Sequence, residues 1–228
     1  MGYLKSVSIY SESKDIKLGA VPRSVEHHFI RNLKGCKIPK VTQINIKLSM
    51  NKTKGTIEQF GSILDYYSIL DFEQYKKQTE NIDKKKFILN LIYQNLKDLF
   101  SEHEWDISKL TIAYEKCLEQ SLQNNWYFKN KLFPSADRRY YFALQHCFDI
   151  DKYEIFEVIF NSAKSEIARR LAFVDTSNSF CINWASWESN DEFLYKYDGP
   201  KKQFICKIKE LIDGVEYSLP KRTSDYFK

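Results

Sequence analysis

The first third of the chain switches between alternating and helical patterns of apolar side chains. Residues 4–10 largely alternate apolar and polar positions, which predicts a β-strand. Apolar residues at helical spacing follow, with Ser24 as the expected N-cap and Gly35 as the expected end of a helix. Two further strands are predicted at residues 41–48 and 63–70. A polar loop at residues 51–56 lies between them.

The middle of the chain has the pattern of two consecutive helices. From Phe87 to Phe100 the apolar residues recur at a spacing of about 3.6. A second helical pattern begins after Asp106, which is a suitable N-cap, and continues to Leu122. Because the connection between the two patterns is short, we expect an antiparallel helical pair.

From Trp126 onward the apolar period changes from 3.6 to 2. Six strands are predicted, at residues 126–132, 138–148, 153–160, 166–174, 179–187 and 191–197. The polar breaks between them are too short for the crossover that parallel strands need, so an antiparallel meander is expected. A turn at residues 198–200 and apolar residues 204–212 then predict a C-terminal helix that ends at Gly214.

These elements predict an α+β protein in which a helical pair and a C-terminal helix pack with an antiparallel meander and the N-terminal strands. The simplest arrangement is a single domain, residues 1–228, with one helical layer against an antiparallel sheet. The alternative is two packed modules, a mixed strand and helix module at residues 1–125 and a meander with its helix at residues 126–228.

Composition is typical of a folded chain. Hydrophobic residues make up 43% of the sequence and aromatic residues 15%, which is ample for a packed core. We expect neither a signal peptide nor a membrane span, because no apolar stretch is long enough for either. The five cysteines are scattered and form no CxxC pair, so we expect reduced and mostly buried thiols in a cytoplasmic protein.

Charge is distributed unevenly along the chain. The formal net charge is +5, and residues 1–60 carry 11 basic and four acidic side chains. A basic N-terminal segment could meet an acidic partner, including nucleic acid, or could simply be solvated surface. The predicted meander is slightly acidic and lacks the aromatic and glycine signature of RNA-binding sheets, which does not favour nucleic acid there.

Local motifs for catalysis, metal or cofactor binding are incomplete. His27 and His28 are adjacent and would point about 100° apart on a helix, which is unsuited to chelating one metal. His146 and Cys147 would lie on opposite faces of a strand, so they cannot form a catalytic dyad. The Asp149-x-Asp151 pair fits a turn between strands. We therefore predict no catalytic residue, metal or cofactor from local motifs, and no phosphate-binding glycine loop is present.

Two arginine pairs indicate a binding surface within the predicted meander. Arginine, tyrosine and tryptophan are enriched at protein interfaces, and the chain has only seven arginines. The candidate binding residues, predicted to lie on strands of the meander, are Arg138, Arg139, Tyr141, Arg169, Arg170, Trp184 and Trp187. The alternative is that one arginine of each pair faces solvent and the other forms an ion pair with Glu154, Glu157 or Glu166.

In its size, its strand-rich α+β layout and its lack of a catalytic motif, the chain resembles the small cytoplasmic immunity proteins of bacterial toxin systems. The resemblance is one of layout and transfers no individual residue. It implies a non-enzymatic inhibitor whose partner is a cognate toxin domain. Two alternatives stay open: a hydrolase or nuclease whose site, with or without a metal, is assembled from distant residues such as His27 or His28, and a nucleic-acid-binding module connected with phage defence.

Overall fold

The computed structural model describes residues 2–12, 17–175, 182–197 and 202–216, and the chain divides into two compact units. The N-terminal unit is Met1–Asn124 and the C-terminal unit is Asn125–Lys228. The fold class is α+β, as the hydrophobic pattern predicts. None of the helices in the described parts of the chain is long and apolar enough to cross a membrane.

Six strands and four helices form the described part of the N-terminal unit. The strands are β1 (Gly2–Tyr3), β2 (Ser6–Ser11), β3 (Lys37–Ile38), β4 (Gln43–Leu48), β5 (Ile57–Phe60) and β6 (Ile63–Ser68). The helices are α1 (Val21–Asn32), α2 (Phe72–Lys76), α3 (Asn81–Glu102) and α4 (Ser108–Glu119). The short elements β1, β3, β5 and α2 are absent from the sequence-based prediction, because two to five residues are too few to establish a period.

The main sheet of this unit is largely parallel, which corrects the expectation of a single antiparallel sheet. Its order is β2-β4-β6-β5, with β2, β4 and β6 parallel and β5 antiparallel to β6. Helix α1 supplies the crossover from β2 to β4 that parallel pairing needs. Strands β5 and β6 form a hairpin, and β6 lies beside β4 and runs in the same direction.

The two faces of this sheet differ in chemistry. Helices α1 and α3 contact strands of this sheet. One face of the sheet carries side chains that are almost fully buried, namely Ile44, Ile46, Leu48, Leu64 and Tyr66. The other face is polar and centres on buried Asp65. Its carboxylate lies 2.6 Å from the Lys47 ammonium and accepts a 2.7 Å hydrogen bond from the Asn45 amide. The polar face is therefore held by paired groups.

Helix boundaries follow the predicted signals with small shifts. Helix α1 begins at Val21, with Pro22 in its first turn, so Ser24 lies inside the helix and does not cap it. Before α4, the Asp106 carboxylate accepts a hydrogen bond from the backbone of Ser108 at 2.9 Å. The N-cap position itself is Ile107, so Asp106 lies one residue before the observed cap position but still accepts from the first residue of α4.

The antiparallel pairing of α3 and α4 is confirmed by their side-chain contacts. Tyr93 bonds to Thr111 at 3.0 Å, whereas Asn90, one turn earlier, bonds to Tyr114, one turn later, at 2.6 Å. The rings of Tyr93 and Tyr114 also stack with their centroids 4.4 Å apart. Contacts that advance along one helix and retreat along the other require opposite directions.

The described part of the C-terminal unit has two antiparallel sheets. The first has the order β11-β10-β9-β7, with β8 on β9, and the second has the order β12-β13-β14. The strands are β7 (Asn125–Tyr127), β8 (Phe133–Pro134), β9 (Tyr140–Phe148), β10 (Tyr153–Asn161), β11 (Glu166–Asp175), β12 (Ile182–Trp187), β13 (Glu192–Tyr197) and β14 (Lys202–Lys207), and α5 (Ile208–Ile212) follows them. The predicted antiparallel pairing of these strands is confirmed, but the strands form two sheets and not one continuous meander.

Two predictions at the ends of this unit are wrong in detail. The strand expected at residues 126–132 ends at Tyr127, because Lys129 and Asn130 have positive φ angles and form a 3-10 turn. Much of the expected C-terminal helix is strand β14, and only Ile208–Ile212 is helical. Along β14, Cys206 is buried while Ile205 is exposed, which is the period of a strand. The predicted turn at residues 198–200 lies outside the described residues.

The core of the C-terminal unit joins the inner faces of its two sheets. Phe142 on β9 and Phe193 on β13 are fully buried and stack with ring centroids 4.0 Å apart. Trp187 and Phe133 each meet Phe193 edge-on at 5.4 Å. These rings belong to strands of both sheets, so they hold one sheet against the other.

Candidate functional site

The first arginine pair lies in a turn, which corrects its predicted position on a strand. Strand β9 begins only at Tyr140. Arg138 has a φ of 57°, a left-handed conformation that a regular strand does not contain. Arg139 is exposed and forms an ion pair with Asp137, two residues before it. The pair is therefore part of a surface turn.

The second pair is on β11, where its two members serve different purposes. Arg169 is exposed, and its guanidinium meets the Glu166 carboxylate at 2.8 and 3.0 Å. Arg170 points the other way and is only 8% exposed, with its guanidinium 2.6 Å from the carboxylate of buried Glu157. In this pair, Arg169 faces solvent and Arg170 forms an internal ion pair, which is the alternative considered in the sequence analysis.

The Arg170 side chain completes a buried polar network. Its guanidinium donates two hydrogen bonds to Glu157 Oε2, at 2.6 and 2.9 Å, and one to the Val215 carbonyl at 2.9 Å. The Tyr195 hydroxyl donates to Glu157 Oε1 at 3.0 Å. Burial, together with the nearby Glu157 carboxylate, raises the pKa of Tyr195 well above its usual range, so its proton stays on. Arg170 therefore has a structural role.

Tyr141 and Arg169 come together on the face of the first sheet that is turned away from the core. In the strand register, Val158 is opposite both Ala143 and Arg169, and Phe160 is opposite Tyr141. On this face, aromatic side chains pack around the buried side chains of Ala143 and Val158. We call the whole group the outer aromatic face; it consists of Tyr127, Leu132, Tyr141, Ala143, Phe156, Val158 and Phe160.

Two cations stand at the rim of the outer aromatic face. The Arg169 guanidinium lies 5.5 Å from the centre of the Phe156 ring, and the Lys164 ammonium lies 5.6 Å from the centre of the Tyr141 ring. Both distances are within the range of cation–π attraction. The face thus combines half-buried aromatic rings with exposed positive charge.

The two predicted tryptophans are on β12, as expected, but not on this face. Trp187 is partly buried and packs against the core, and its indole nitrogen donates to the Phe133 carbonyl at 2.9 Å. Trp184 belongs to the second sheet and is 38% exposed, with the Lys196 ammonium 5.1 Å from its ring. Of the seven predicted residues, the structure therefore gathers only Tyr141 and Arg169 on one surface.

The groups considered for local chemistry are placed as strand and turn geometry predicts. His146 is buried, stacks on Trp126 with centroids 5.0 Å apart and shares a hydrogen bond with Tyr153. Cys147, next to it, is on the opposite face of β9, and burial raises its pKa. Asp149 closes the β9–β10 turn, where its backbone amide donates to the Lys152 carbonyl at 2.9 Å.

Thiol and metal chemistry have no further support in the described residues. Four cysteines are free, namely Cys36, Cys117, Cys147 and Cys206, and Cys181 lies outside the described residues. Burial raises the pKa of each of the four, which keeps them protonated and weakly nucleophilic. Where side chains are described, they form no group of three or more His, Cys, Asp or Glu that could hold a metal ion.

The adjacent histidines of α1 separate, and one of them borders a cleft. His28 is buried and bonds to the Gln120 side chain at 2.6 Å. His27 lines a cavity of about 470 Å³ between β2 and α1, together with Arg23 and Glu26. Our site prediction from the sequence omitted Arg23 and Glu26. Arg23, Glu26 and His27 are at positions i, i+3 and i+4 of the predicted helix, and this spacing could have shown that they share one side of it.

The acid and base of this cleft have shifted pKa values. Burial raises the pKa of Glu26 to about 7, although a hydrogen bond from the Ile9 amide and the charge of Arg23 oppose the shift. Loss of hydration, with the charges of Arg23 and Arg31, lowers the pKa of His27. At neutral pH the carboxyl is partly protonated and the imidazole is mostly neutral.

Replacing Glu26 with glutamine is expected to stabilise the protein at pH 8.5 by about 2–3 kcal/mol and to change little at pH 4.5. The folded protein holds the Glu26 proton up to about pH 7, whereas an unfolded glutamate loses it near pH 4.5. The free energy of unfolding of the wild type therefore falls as the pH rises from about 4.5 to above 7, and Glu26→Gln removes that fall. Urea unfolding of both proteins at pH 4.5 and pH 8.5 measures the difference in this free energy.

The control for this prediction is Glu73→Gln, which removes an exposed carboxyl on α2. It should not reproduce a stabilisation that appears only at high pH. An unchanged pH dependence in Glu26→Gln would show that the Glu26 carboxyl is not desolvated.

No protein-family model, curated protein or solved structure is detectably similar to this chain.

Proposed function

We propose that this protein is a cytoplasmic, non-enzymatic inhibitor that binds another protein through the outer aromatic face, the partner being the toxin domain of a bacterial toxin system. The observation that carries the proposal is the cluster of aromatic rings on an outward sheet face with Arg169 and Lys164 at its rim. The kind of partner rests on the resemblance in size and layout to immunity proteins.

The composition of the face supports protein binding. Aromatic residues and arginine dominate the few positions that carry most of the affinity of protein interfaces. Tyr141 and Phe156 are half-buried, so their rings are already ordered and lose little conformational freedom on binding. Lys164 and Arg169 suit a partner surface with carboxylates, which could replace Glu166 as the counterion of Arg169.

The edge of the same sheet offers a second type of contact. Strand β11 is at the end of the strand order, with β10 as its neighbour. Its residues Ile167 and Val174 are 44% and 38% exposed, which is unusual for β-branched side chains within a sheet. An extended segment of a partner could add to this edge by backbone hydrogen bonds while its side chains contact the neighbouring face.

The variant that tests the proposal is Lys164→Glu/Arg169→Glu. With the wild type immobilised, we expect to capture one stoichiometric partner from the organism that encodes it. The double variant should bind the purified partner at least about 30-fold more weakly. This factor corresponds to the loss of one hot-spot contact of about 2 kcal/mol. Isothermal titration calorimetry measures the difference.

The matched control is Lys209→Glu, which reverses an exposed charge on α5 of the same unit. It should retain wild-type affinity. Equal binding by the wild type and the double variant would overturn the assignment of the face. The toxin part of the proposal requires that the partner alone stops growth of its host and that co-expression of the wild type, but not the double variant, restores it.

A further inference from the structure

The cleft between β2 and α1 is separate from the proposed protein-binding face and belongs to the N-terminal unit. It has a volume of about 470 Å³, within the range of small-molecule sites. Polar side chains contribute much of its lining: Ser8, Tyr10, Ser11, Arg23, Glu26 and His27. Strand β2 is at the end of the sheet order, so the cleft lies beside a sheet edge.

We infer that this cleft binds a small ligand bearing an oxyanion, of the phosphate or sulfate ester class, with the Arg23 guanidinium pairing with the oxyanion and the Glu26 carboxyl donating a proton to it in a hydrogen bond. Arg23, Glu26 and His27 are spaced i, i+3 and i+4 on α1, so the three groups project from one side of the helix into one cavity.

The charge of the lining favours an anion. Arg23 carries a fixed positive charge in a planar fork that matches the oxygens of a phosphate or sulfate. The lowered pKa of His27 leaves its imidazole neutral at pH 7, where it can donate or accept a hydrogen bond. Tyr10, from β2, is the other titratable side chain in the described lining. With Glu26 protonated, Arg23 supplies the positive charge of the described lining.

Glu26 is suited to carry the coupled proton. Its Oε1 accepts a 2.6 Å hydrogen bond from the Ile9 amide, which anchors the carboxyl to the strand. The proton of the neutral form therefore resides on Oε2, since Oε1 is already an acceptor. A protonated carboxyl donates a short, strong hydrogen bond to an anionic oxygen, whereas the carboxylate would repel the anion. Binding should thus take up a proton.

Sulfate is the best probe, because its charge stays constant between pH 5 and pH 9 while that of phosphate changes. We expect sulfate to bind the full-length chain saturably, and at least about fivefold more tightly at pH 6 than at pH 8.5, since the Glu26 pKa is about 7. The titration is followed by calorimetry or by backbone amide shifts of β2 and α1, with sodium chloride replaced at constant ionic strength.

Three variants make the test specific. Arg23→Gln should weaken sulfate binding at least about tenfold, the loss of one charge-assisted contact. Glu26→Gln keeps a hydrogen-bond donor and should retain binding while losing its pH dependence. Lys34→Gln removes the same charge at an exposed position beyond the end of α1 and should bind like the wild type.

Circular dichroism and thermal unfolding establish that each variant is folded before it is titrated. Absence of saturable sulfate binding to the folded wild type at pH 6 would overturn the inference, as would undiminished binding by folded Arg23→Gln. A pH dependence that persists in Glu26→Gln would refute the role of the Glu26 proton. None of these outcomes depends on the protein-binding face, so the two proposals can fail independently.

Discussion

Arg170→Met is expected to destabilise the C-terminal unit by about 3–5 kcal/mol, because it leaves the Glu157 carboxylate buried without its cation. Glu157 is 1% exposed, and the Arg170 guanidinium supplies both hydrogen bonds to its Oε2. Methionine approximates the volume of the arginine stem, so the loss reports charge and hydrogen bonding more than cavity formation. Urea unfolding followed by tryptophan fluorescence suits this unit, which holds Trp126, Trp184 and Trp187.

The neighbouring arginine provides the control. Arg169→Met removes an exposed guanidinium paired with Glu166 and should change the free energy of unfolding by no more than about 0.5 kcal/mol. Combining Arg170→Met with Glu157→Gln should recover part of the loss, since no charge is then left in the core. An Arg170→Met variant as stable as Arg169→Met would mean that water reaches Glu157.

Phe193→Ala is expected to cost about 3–5 kcal/mol for a different reason, the loss of apolar packing and the cavity that remains. Phe193 is fully buried and contacts three aromatic neighbours: Phe142, Phe133 and Trp187. These rings come from both sheets, so their collapse into the space left by Phe193 would have to move one sheet toward the other. The same unfolding measurement gives the free-energy change.

Ile205→Ala is the matched comparison for Phe193→Ala. Ile205 is on β14, next to the strand of Phe193, but it is 46% exposed. Its truncation should cost about 1 kcal/mol or less. A similar cost for the two variants would contradict the assignment of Phe193 to the centre of the core.

The two proposed sites depend on different physical features. The outer aromatic face is a surface whose rings are held by mutual packing, and its rim charges are accessible without disturbing a core. The cleft of the N-terminal unit instead uses partial burial to keep Glu26 protonated near neutral pH. Groups held at a cost to stability are common at functional sites, and the expected gain from Glu26→Gln is the measure of that cost.

Much of the fold follows from local patterns in the sequence. The period of 3.6 identifies α3 and α4, and the short connection between them predicts their antiparallel pairing. The alternation from Tyr140 to Tyr197, with short polar breaks, predicts the antiparallel strands of the C-terminal unit. Strand geometry likewise separates His146 from Cys147. These conclusions need only the direction of neighbouring side chains.

The candidate sites are less predictable, because they depend on contacts between distant parts of the chain. The sequence marks Arg169 and Arg170 as a pair, but only the position of Glu157 on the neighbouring strand decides which one is buried. It shows that His27 and His28 point apart, but only Gln120, far along the chain, decides which of them is enclosed.

Sequence by itself determined the period, the turns and the opposed directions of adjacent side chains, since each is a property of a few consecutive residues. Tertiary structure alone decided the parallel pairing of β2, β4 and β6, the assembly of the outer aromatic face and the cleft that shifts the Glu26 pKa. The physical reason is that burial and charge pairing are set by residues far apart in the chain, which a local pattern does not identify.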